Sequence, residues 1–316
     1  QESQDCRDNW WISLLYINNY VNEDRMCLVQ TWYLSCDFHY FIIAILLVLI
    51  FMKNKKLGFA LFIVCFVLSI VAPFIIILSY LRPGMLLFYS NFLRDPKAHP
   101  DFILTYIKSH TRATAYCVGV IAGYLYYKLK DSEKKLSKWK SHFISIVSIF
   151  LILVAFVSGG VLYNPYHKYN AIEHAVFASL FRLPWSFGSI GLLLTASYGH
   201  ATIIQKFLSW SPFIPLSRLV YAAYLVHLGL QYRALGMSAG AQTFDIYNLI
   251  IWTFGDIVQA FAVALILYLL IETPIRKLFK ELFMGRRHNA PSQSEANCNG
   301  QNGVNTISRR ENDSRL

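Results

Sequence analysis

Three ionisable side chains lie inside apolar stretches of this sequence, and their chemistry is complementary. Arg182 lies in FRLPWSFG, His227 closes PLSRLVYAAYLVH, and Asp256 lies in IIWTFGDIVQ. A guanidinium binds anions, an imidazole exchanges protons near neutral pH, and a carboxylate pairs with either of them. If these stretches cross a membrane, each charge is costly and predicts either a binding site or a structural ion pair such as Arg182–Asp256.

The stretch that ends at His227 carries further polar groups on one helical face. At ~100° per residue, the side chains of Ser217, Tyr221, Tyr224, His227 and Gln231 fall within an arc of about 120°. In a helix this apolar, a polar stripe is typical of a surface that faces a bundle interior or a water-filled cavity. The stripe predicts a substrate path, and a hydrogen-bonded structural role for His227 is the alternative.

The composition indicates which elements must position these groups. Of the 316 residues, 55% are hydrophobic and only 15% are charged, and the mean hydropathy is +0.40. Because soluble domains carry about 25% charged residues, an all-α, polytopic membrane helical bundle is predicted. The net charge of +11 comes mostly from short Lys and Arg clusters beside apolar runs, which argues against a nucleic-acid partner.

Seven apolar runs approach the ~20 residues that a helix needs to cross ~30 Å of hydrocarbon. They cover residues 38–52, 57–80, 112–127, 142–163, 175–198, 213–235 and 247–271. The first and third runs are short for a span. We therefore predict about seven transmembrane helices, in a multi-pass protein of the plasma membrane or an endomembrane.

Basic residues set the predicted orientation, because Lys and Arg concentrate in cytosolic loops. KNKK at 53–56, KLKDSEKKLSKWK at 128–140 and the basic carboxyl-terminal segment fall on one side if the spans alternate. The amino terminus is then outside and the carboxyl terminus inside. Residues 1–37 are predicted to be an extracellular loop segment, 38–276 the membrane domain, and 277–316 a disordered cytosolic tail.

Two cysteines fall on the predicted outer side, which is oxidising. Cys6 and Cys27 are therefore predicted to form a disulfide. Closing a loop of that length contributes about 3 kcal/mol in the chain-entropy model. The other cysteines lie in or near spans or in the tail, where free thiols are expected.

The third apolar run carries small residues at every fourth position, namely Ala115, Gly119 and Gly123. Such spacing lets two helix backbones approach closely. We expect this face, which also carries Arg112 and Tyr116, to pack against another helix.

The sequence lacks the motifs of the common cofactor and metal sites. It contains no Walker A, GxSxG or HExxH motif, no CxxC pair, and no GxGxxG after a strand. Neither a bound cofactor nor a metal site is therefore expected.

Five stretches carry a family resemblance: CRDNWWISLLYINNYVN, TWYLSCDFHYFII, FRLPWSFG, FLSWSPFIPLSRLVYAAYLVH and IETP. They resemble the carboxyl-terminal part of the nose-resistant-to-fluoxetine proteins, animal members of the acyltransferase-3 superfamily of membrane O-acyltransferases. The resemblance runs from Cys6 to about Arg276. It implies about ten acyltransferase-type spans, so we expect that the amino-terminal spans precede Gln1 and are missing from this chain.

The resemblance assigns catalysis to a histidine in the family's first span, upstream of Gln1, so no residue of this chain inherits that role. What it implies for this chain is a supporting polar site. The members of that site are Asp37, Arg182, Trp185, Ser217, Arg218, Tyr221, Tyr224, His227 and Glu272. Cys36 and His39 depart from the family pattern, in which Asn and Gln are usual.

The leading functional hypothesis is transfer of an acyl group, other than an amino-acyl group, from an acyl-CoA-like donor to a hydroxyl acceptor such as a lipid. A histidine base would deprotonate the acceptor, and Arg182 would bind an anionic part of the donor or stabilise the oxyanion. With the base upstream, we expect no turnover by residues 1–316 alone.

A carrier of lipid or xenobiotic cargo is the alternative. A seven-helix receptor is a remote third, because its usual motifs are missing from the third and seventh runs.

Overall fold

The computed structural model describes residues 2–88, 92, 95–130, 136–164, 166–198, 202–237, 240 and 245–284. These residues are mostly helical and contain no strand, which confirms the all-α prediction. The helices are α1 (Glu2–Leu14), α2 (Trp32–Lys53), α3 (Lys55–Tyr80), α4 (Ala113–Lys130), α5 (Lys138–Leu162), α6 (Ala171–Leu180), α7 (Arg182–Tyr198), α8 (Thr202–Leu208), α9 (Phe213–Met237), α10 (Ile246–Leu267) and α11 (Thr273–Met284).

Six helical segments of the described chain are long and apolar enough to cross a membrane. They are Val29–Lys53, Lys55–Tyr80, Lys138–Leu162, Ala171–Tyr198, Phe213–Met237 and Ile246–Phe283. The predicted third span forms α4, which is not among the six because its tyrosines, glycines and terminal lysines reduce its apolar character. The protein is thus an integral multi-pass membrane protein, while seven crossings and an outside amino terminus remain predictions.

Local sequence signals set several helix boundaries. The side chain of Asn54 accepts hydrogen bonds from the backbone N–H groups of Lys56 and Leu57, and this N-cap starts α3 directly after α2 ends. Asn170 caps α6 in the same way. Between α6 and α7 the helix is interrupted at Phe181, three residues before Pro184, as expected where proline removes a backbone donor.

The chain forms two compact units, Gln1–Arg218 and Leu219–Leu316, and the boundary falls inside α9. In the first unit, α5 packs against α7 and α3 packs against α6. The contact between α3 and α6 buries Ile77 against Ala175 and Ala178. In the second unit, Ala222 and Ala223 of α9 lie in one apolar cluster with Ala264 of α10.

The segment predicted as an extracellular loop is folded, and it ends earlier than predicted. Helix α1 occupies its first part, and α2 begins at Trp32 instead of near residue 38. A disulfide joins Cys6 to Cys27. The Lys97 ammonium lies 3.3 Å from the carboxylate of Asp5 and donates to the Met26 carbonyl. Residues 2–31 and 95–111 together form what we call the amino-terminal cap.

In the segment predicted to be a disordered tail, residues 277–284 belong to α11. Apolar side chains recur in this helix at Ile275, Leu278, Phe279, Leu282 and Phe283, with charged side chains between them. This spacing gives one apolar face, a pattern typical of helices that lie at a membrane surface. The remaining residues of the predicted tail lie outside the described residues.

Candidate functional site

Arg112 lies directly before α4 and is held by backbone and aromatic groups. Its Nε donates a hydrogen bond to the Tyr106 carbonyl. The guanidinium carbon lies 3.8 Å from the centre of the Tyr106 ring and 4.7 Å from that of Trp32. An aromatic face attracts a cation electrostatically, and more strongly where water is excluded. The two rings therefore fix the guanidinium without neutralising its charge.

Arg182 is the first residue of α7, and its guanidinium also bonds to carbonyl groups. Nη1 donates to the Thr111 carbonyl and to the Ala178 carbonyl, both at 3.1 Å. The Phe181 ring lies under the guanidinium, with its centre 4.5 Å away. The bond to Thr111 links the start of α7 to the turn that precedes Arg112, so the two arginines are positioned by connected pieces of backbone.

The two guanidinium groups line one cavity, and like charges in one cavity repel each other. Within the described part of the first unit, neither of them forms an ion pair with a carboxylate. Two like charges away from bulk water raise the free energy of the folded protein, and carbonyls and rings compensate only in part. An anion bound between Arg112 and Arg182 would remove that penalty, so the site favours an anionic ligand.

Both arginines line a cavity of about 540 Å³, which we call the polar cavity. Helix α2 contributes Asp37 and Tyr40 to its wall, and α4 contributes Tyr116. A volume of this size lies within the range of small-molecule sites, in which a few polar groups fix the orientation of a ligand. Cationic, acidic and phenolic groups therefore face one common space.

A hydrogen-bond network centred on Ser109 supports the α2 side of this cavity. Asn19 Nδ2 donates to Ser109 Oγ at 2.8 Å, and His39 Nδ1 lies 2.9 Å from the same oxygen. The Tyr40 hydroxyl donates to the Ser109 carbonyl at 2.6 Å, and the Cys36 thiol accepts from Ser109 Oγ at 3.5 Å. The network ties the amino-terminal cap to two cavity-lining residues, Cys36 and Tyr40.

One titratable group next to this network lies outside the candidate spans. His110 follows Ser109, and its Nδ1 lies 3.0 Å from the Tyr20 hydroxyl. Partial burial of the ring lowers the pKa of His110 below its ordinary value, and the positive charge of Lys108 lowers it further. The cap thus contains a histidine that favours its neutral form.

The residues predicted from the sequence separate into two groups. Asp37 and Arg182 line the polar cavity of the first unit. In the second unit, His227 Nδ1 donates to the Tyr224 carbonyl of its own helix at 2.7 Å, and Gln231 donates to Asp256 at 3.2 Å. The bond between Gln231 and Asp256 joins α9 to α10, so Asp256 has a partner within its own unit.

The amino-terminal part of the polar stripe makes local contacts as well. The Ser217 hydroxyl donates to the Ile214 carbonyl one turn earlier, and the Tyr221 side chain is half exposed. Tyr224 stacks obliquely near the His227 ring, with ring centres 5.7 Å apart. An ion pair between Arg182 and Asp256 would join the two units, and it remains a prediction.

The expected packing face of α4 is not a close helix contact. A Cβ added at Gly119 or Gly123 would meet no described atom within 4 Å, and Gly119 instead lines the polar cavity. One close helix contact of the first unit lies between α5 and α7. There, a Cβ at Gly188 would lie 2.7 Å from the Ser148 carbonyl oxygen. Ala115 and Gly119 of α4 line the polar cavity, so their small size leaves room for it.

Arg112 is the functional residue that the sequence reasoning did not place in the site. It was recognised only as a neighbour of the small residues on α4. Its position in KSHTRATAY, a basic side chain directly before an apolar run, was the available signal. What the sequence could not show is that Arg112 and Arg182, 70 positions apart, reach the same cavity.

Comparisons with known proteins agree with this architecture. A family described as an acyltransferase domain matches residues 5–271. Nose resistant to fluoxetine protein 6 of Caenorhabditis elegans is 26% identical over 323 residues, which cover 96% of this chain and 37% of that protein. Regulator of hypoxia-inducible factor 1 of the same organism is 26% identical over 279 residues, with 80% and 50% covered. The chain spans half or less of these relatives, and no solved structure gives a significant match.

Proposed function

The chain belongs to the acyltransferase-3 family, whose domain covers residues 5–271, and from this premise we propose that it transfers an acyl group to a hydroxyl acceptor. Membership of this family confirms the resemblance seen in the sequence and makes the protein acyltransferase-like. In the proposal, the polar cavity is the chamber that holds the donor. The observation that carries it is the pair of half-buried arginines, Arg112 and Arg182, on one cavity wall.

The two arginines suit an acyl donor with an anionic carrier group, such as an acyl-CoA-like thioester. Guanidinium groups bind phosphate and carboxylate oxygens through short charge-assisted hydrogen bonds. During acyl transfer the thioester carbonyl oxygen gains negative charge, and a fixed cation beside it lowers the barrier. Arg112 and Arg182 would therefore bind the donor and stabilise the developing oxyanion.

Asp37 and Tyr116 are the candidates for orienting the hydroxyl acceptor, because they line the same cavity on α2 and α4. A carboxylate accepts a hydrogen bond from a hydroxyl group, and a phenol can either donate or accept one. The proposal gives these residues an orienting role only. The base that takes the acceptor proton is assigned to the upstream histidine that the family resemblance implies.

The test is donor-dependent labelling in membranes of cells that express the protein from its complete gene. A radiolabelled acyl thioester is supplied, and label in hydroxyl-bearing lipids is measured after extraction. Arg112→Gln and Arg182→Gln should each lower the labelling rate by about tenfold or more, because each removes a cationic hydrogen-bond donor. Arg233→Gln, which changes an exposed arginine of α9, is the matched control and should leave the rate unchanged.

Failure to label any acceptor above the level of untransfected membranes would refute acyl transfer. Uptake of labelled lipid that needs no thioester donor, and that still depends on Arg112 and Arg182, would support the carrier alternative. Both functions require a polar chamber inside the membrane domain, so dependence on the donor is the measurement that separates them.

A further inference from the structure

A second cavity opens on the other side of the two arginines, and we call it the apolar cavity. Its volume is about 280 Å³, and Arg112 and Arg182 are the wall residues that it shares with the polar cavity. The rest of its wall comes from α3, from the segment after α3, from the amino-terminal cap, and from α6 together with Phe181. The guanidinium groups therefore stand between a polar space and an apolar one.

The wall of the apolar cavity is mostly hydrocarbon. Pro73, Ile76 and Ile77 come from α3, and Met85 and Leu86 from the segment that follows it. The two threonine hydroxyl groups in this wall are already occupied by hydrogen bonds. Thr105 donates to the Asp101 carbonyl, and Thr111 donates to the carbonyls of Thr105 and Lys108. The cavity thus offers apolar contact and few free polar groups.

Charge and shape together restrict what can fill the two cavities. An uncharged apolar molecule would leave the two cationic groups unneutralised, and a small anion would leave the apolar cavity without contacts. A cationic amphiphile would bring a third positive charge to the pair. A molecule with an anionic head and one alkyl chain satisfies both spaces.

We propose that the two cavities form one binding site for a single-chain anionic amphiphile. The carboxylate or phosphate head lies between Arg112 and Arg182, and the chain lies in the apolar cavity. At ~30 Å³ for each water-sized group, 280 Å³ accommodates about nine chain atoms. The inference rests on the proposed function, because it names the class of acyl chain that the acyltransferase-like chamber accepts.

Two wall residues allow the length of the chain to be changed in opposite directions. Ile76 and Met85 both line the apolar cavity, and both are only partly buried. Ile76→Trp fills part of the space and should shift the preferred chain to a shorter length. Met85→Ala enlarges the space and should shift the preferred chain to a longer one.

The experiment measures binding by titration calorimetry, with the full chain in nanodiscs of phosphatidylcholine and no acyl acceptor present. The probes are alkyl carboxylates, alkyl phosphates and alkyl trimethylammonium salts of graded length, and inorganic phosphate alone. We expect both anionic series to bind best at about nine chain atoms, the length given by the water-sized volume. Inorganic phosphate and the ammonium series should bind about tenfold more weakly or not at all.

The variants decide between this site and adsorption to the lipid. Arg112→Gln and Arg182→Gln should weaken both anionic series by about tenfold or more, and Arg233→Gln should not change them. Carboxylates binding without phosphates, or the reverse, would identify the head group within the proposed class. Equal binding of the ammonium series would refute the inference, as would a preferred length that neither Ile76→Trp nor Met85→Ala moves.

The result of this binding experiment can be distinguished from the result of the labelling experiment that tests acyl transfer. Binding that depends on the arginines and on chain length, in a protein that labels no acceptor, would leave this inference standing and remove acyl transfer. Donor-dependent labelling by a protein that binds no single-chain anion would do the opposite. Because Met85→Ala removes atoms and inserts none, a folded variant is available even if Ile76→Trp does not fold.

Discussion

The contact between α5 and α7 positions Arg182, and it can be tested by the same chemical change at two glycines. A Cβ at Gly188 would lie 2.7 Å from the backbone oxygen of Ser148 and 2.7 Å from Ile152 Cγ1. A Cβ at Gly123 would meet no described atom within 4 Å. Both glycines lie in helix interiors, so both replacements gain the same helix propensity, up to ~1 kcal/mol.

The difference between Gly188→Ala and Gly123→Ala therefore isolates the packing contribution. Insertion of a methyl group into a closely packed contact costs about 1–3 kcal/mol. The obstacle at Gly188 is a backbone oxygen, which cannot turn away as a side chain can. We expect Gly188→Ala to lower the free energy of unfolding by about 1–3 kcal/mol relative to Gly123→Ala.

The assay is equilibrium unfolding in mixed detergent micelles, with anion binding measured on the same samples. Because Arg182 is the first residue of α7, displacement of that helix by Gly188→Ala should also weaken binding of alkyl phosphate. Gly123→Ala should leave the binding of alkyl phosphate unchanged, and it should not lower the free energy of unfolding. If the two variants unfold within ~0.5 kcal/mol of each other, the close contact between α5 and α7 does not exist.

Three further predictions concern the same unit. Gly191→Ala would bring a Cβ against Ser148 Oγ, so Ser148→Ala in the same chain should recover most of the stability lost in unfolding assays. Reduction of the bond between Cys6 and Cys27, or Cys6→Ser, should cost about 2–4 kcal/mol, measured by the shift in Tm with and without reductant. Because the pKa of His110 is lowered in the fold, stability should be complete above its ordinary pKa and fall as pH drops below it. His110→Gln should remove that part of the pH dependence.

The sequence predicted the helices well, because an apolar run long enough to cross a bilayer has few other structures available. The runs at 57–80 and 142–163 correspond to α3, Lys55–Tyr80, and α5, Lys138–Leu162. The resemblance also pointed to Arg182 and Asp37, although it did not indicate that they share a cavity. Both kinds of prediction depend on signals contained within one segment.

The rest could not be predicted, because it depends on helix rotation and on contacts between distant segments. Glycines four residues apart, such as Gly119 and Gly123, form the same sequence pattern whether their helix face packs against another helix or lines a cavity. The cap depends on bonds such as that between Asn19 and Ser109, 90 residues apart. Residues 1–37 were predicted to be a loop because no local pattern in them indicates such partners.

The arrangement of Arg112 and Arg182 is the strongest reason to regard this region as a binding site and not as a structural support. A structural arginine inside a membrane domain is normally stabilised by a carboxylate, because an ion pair lowers the cost of removing the charge from water. Here Tyr106 and Trp32 hold one guanidinium, and carbonyl oxygens hold the other, while neither forms an ion pair with a carboxylate in the first unit. Asp37 in the wall of the polar cavity supplies one negative charge for the two cations. A fixed pair of cations with an excess of positive charge is what recognition of an anionic head group requires, and both cavities are lined by these residues.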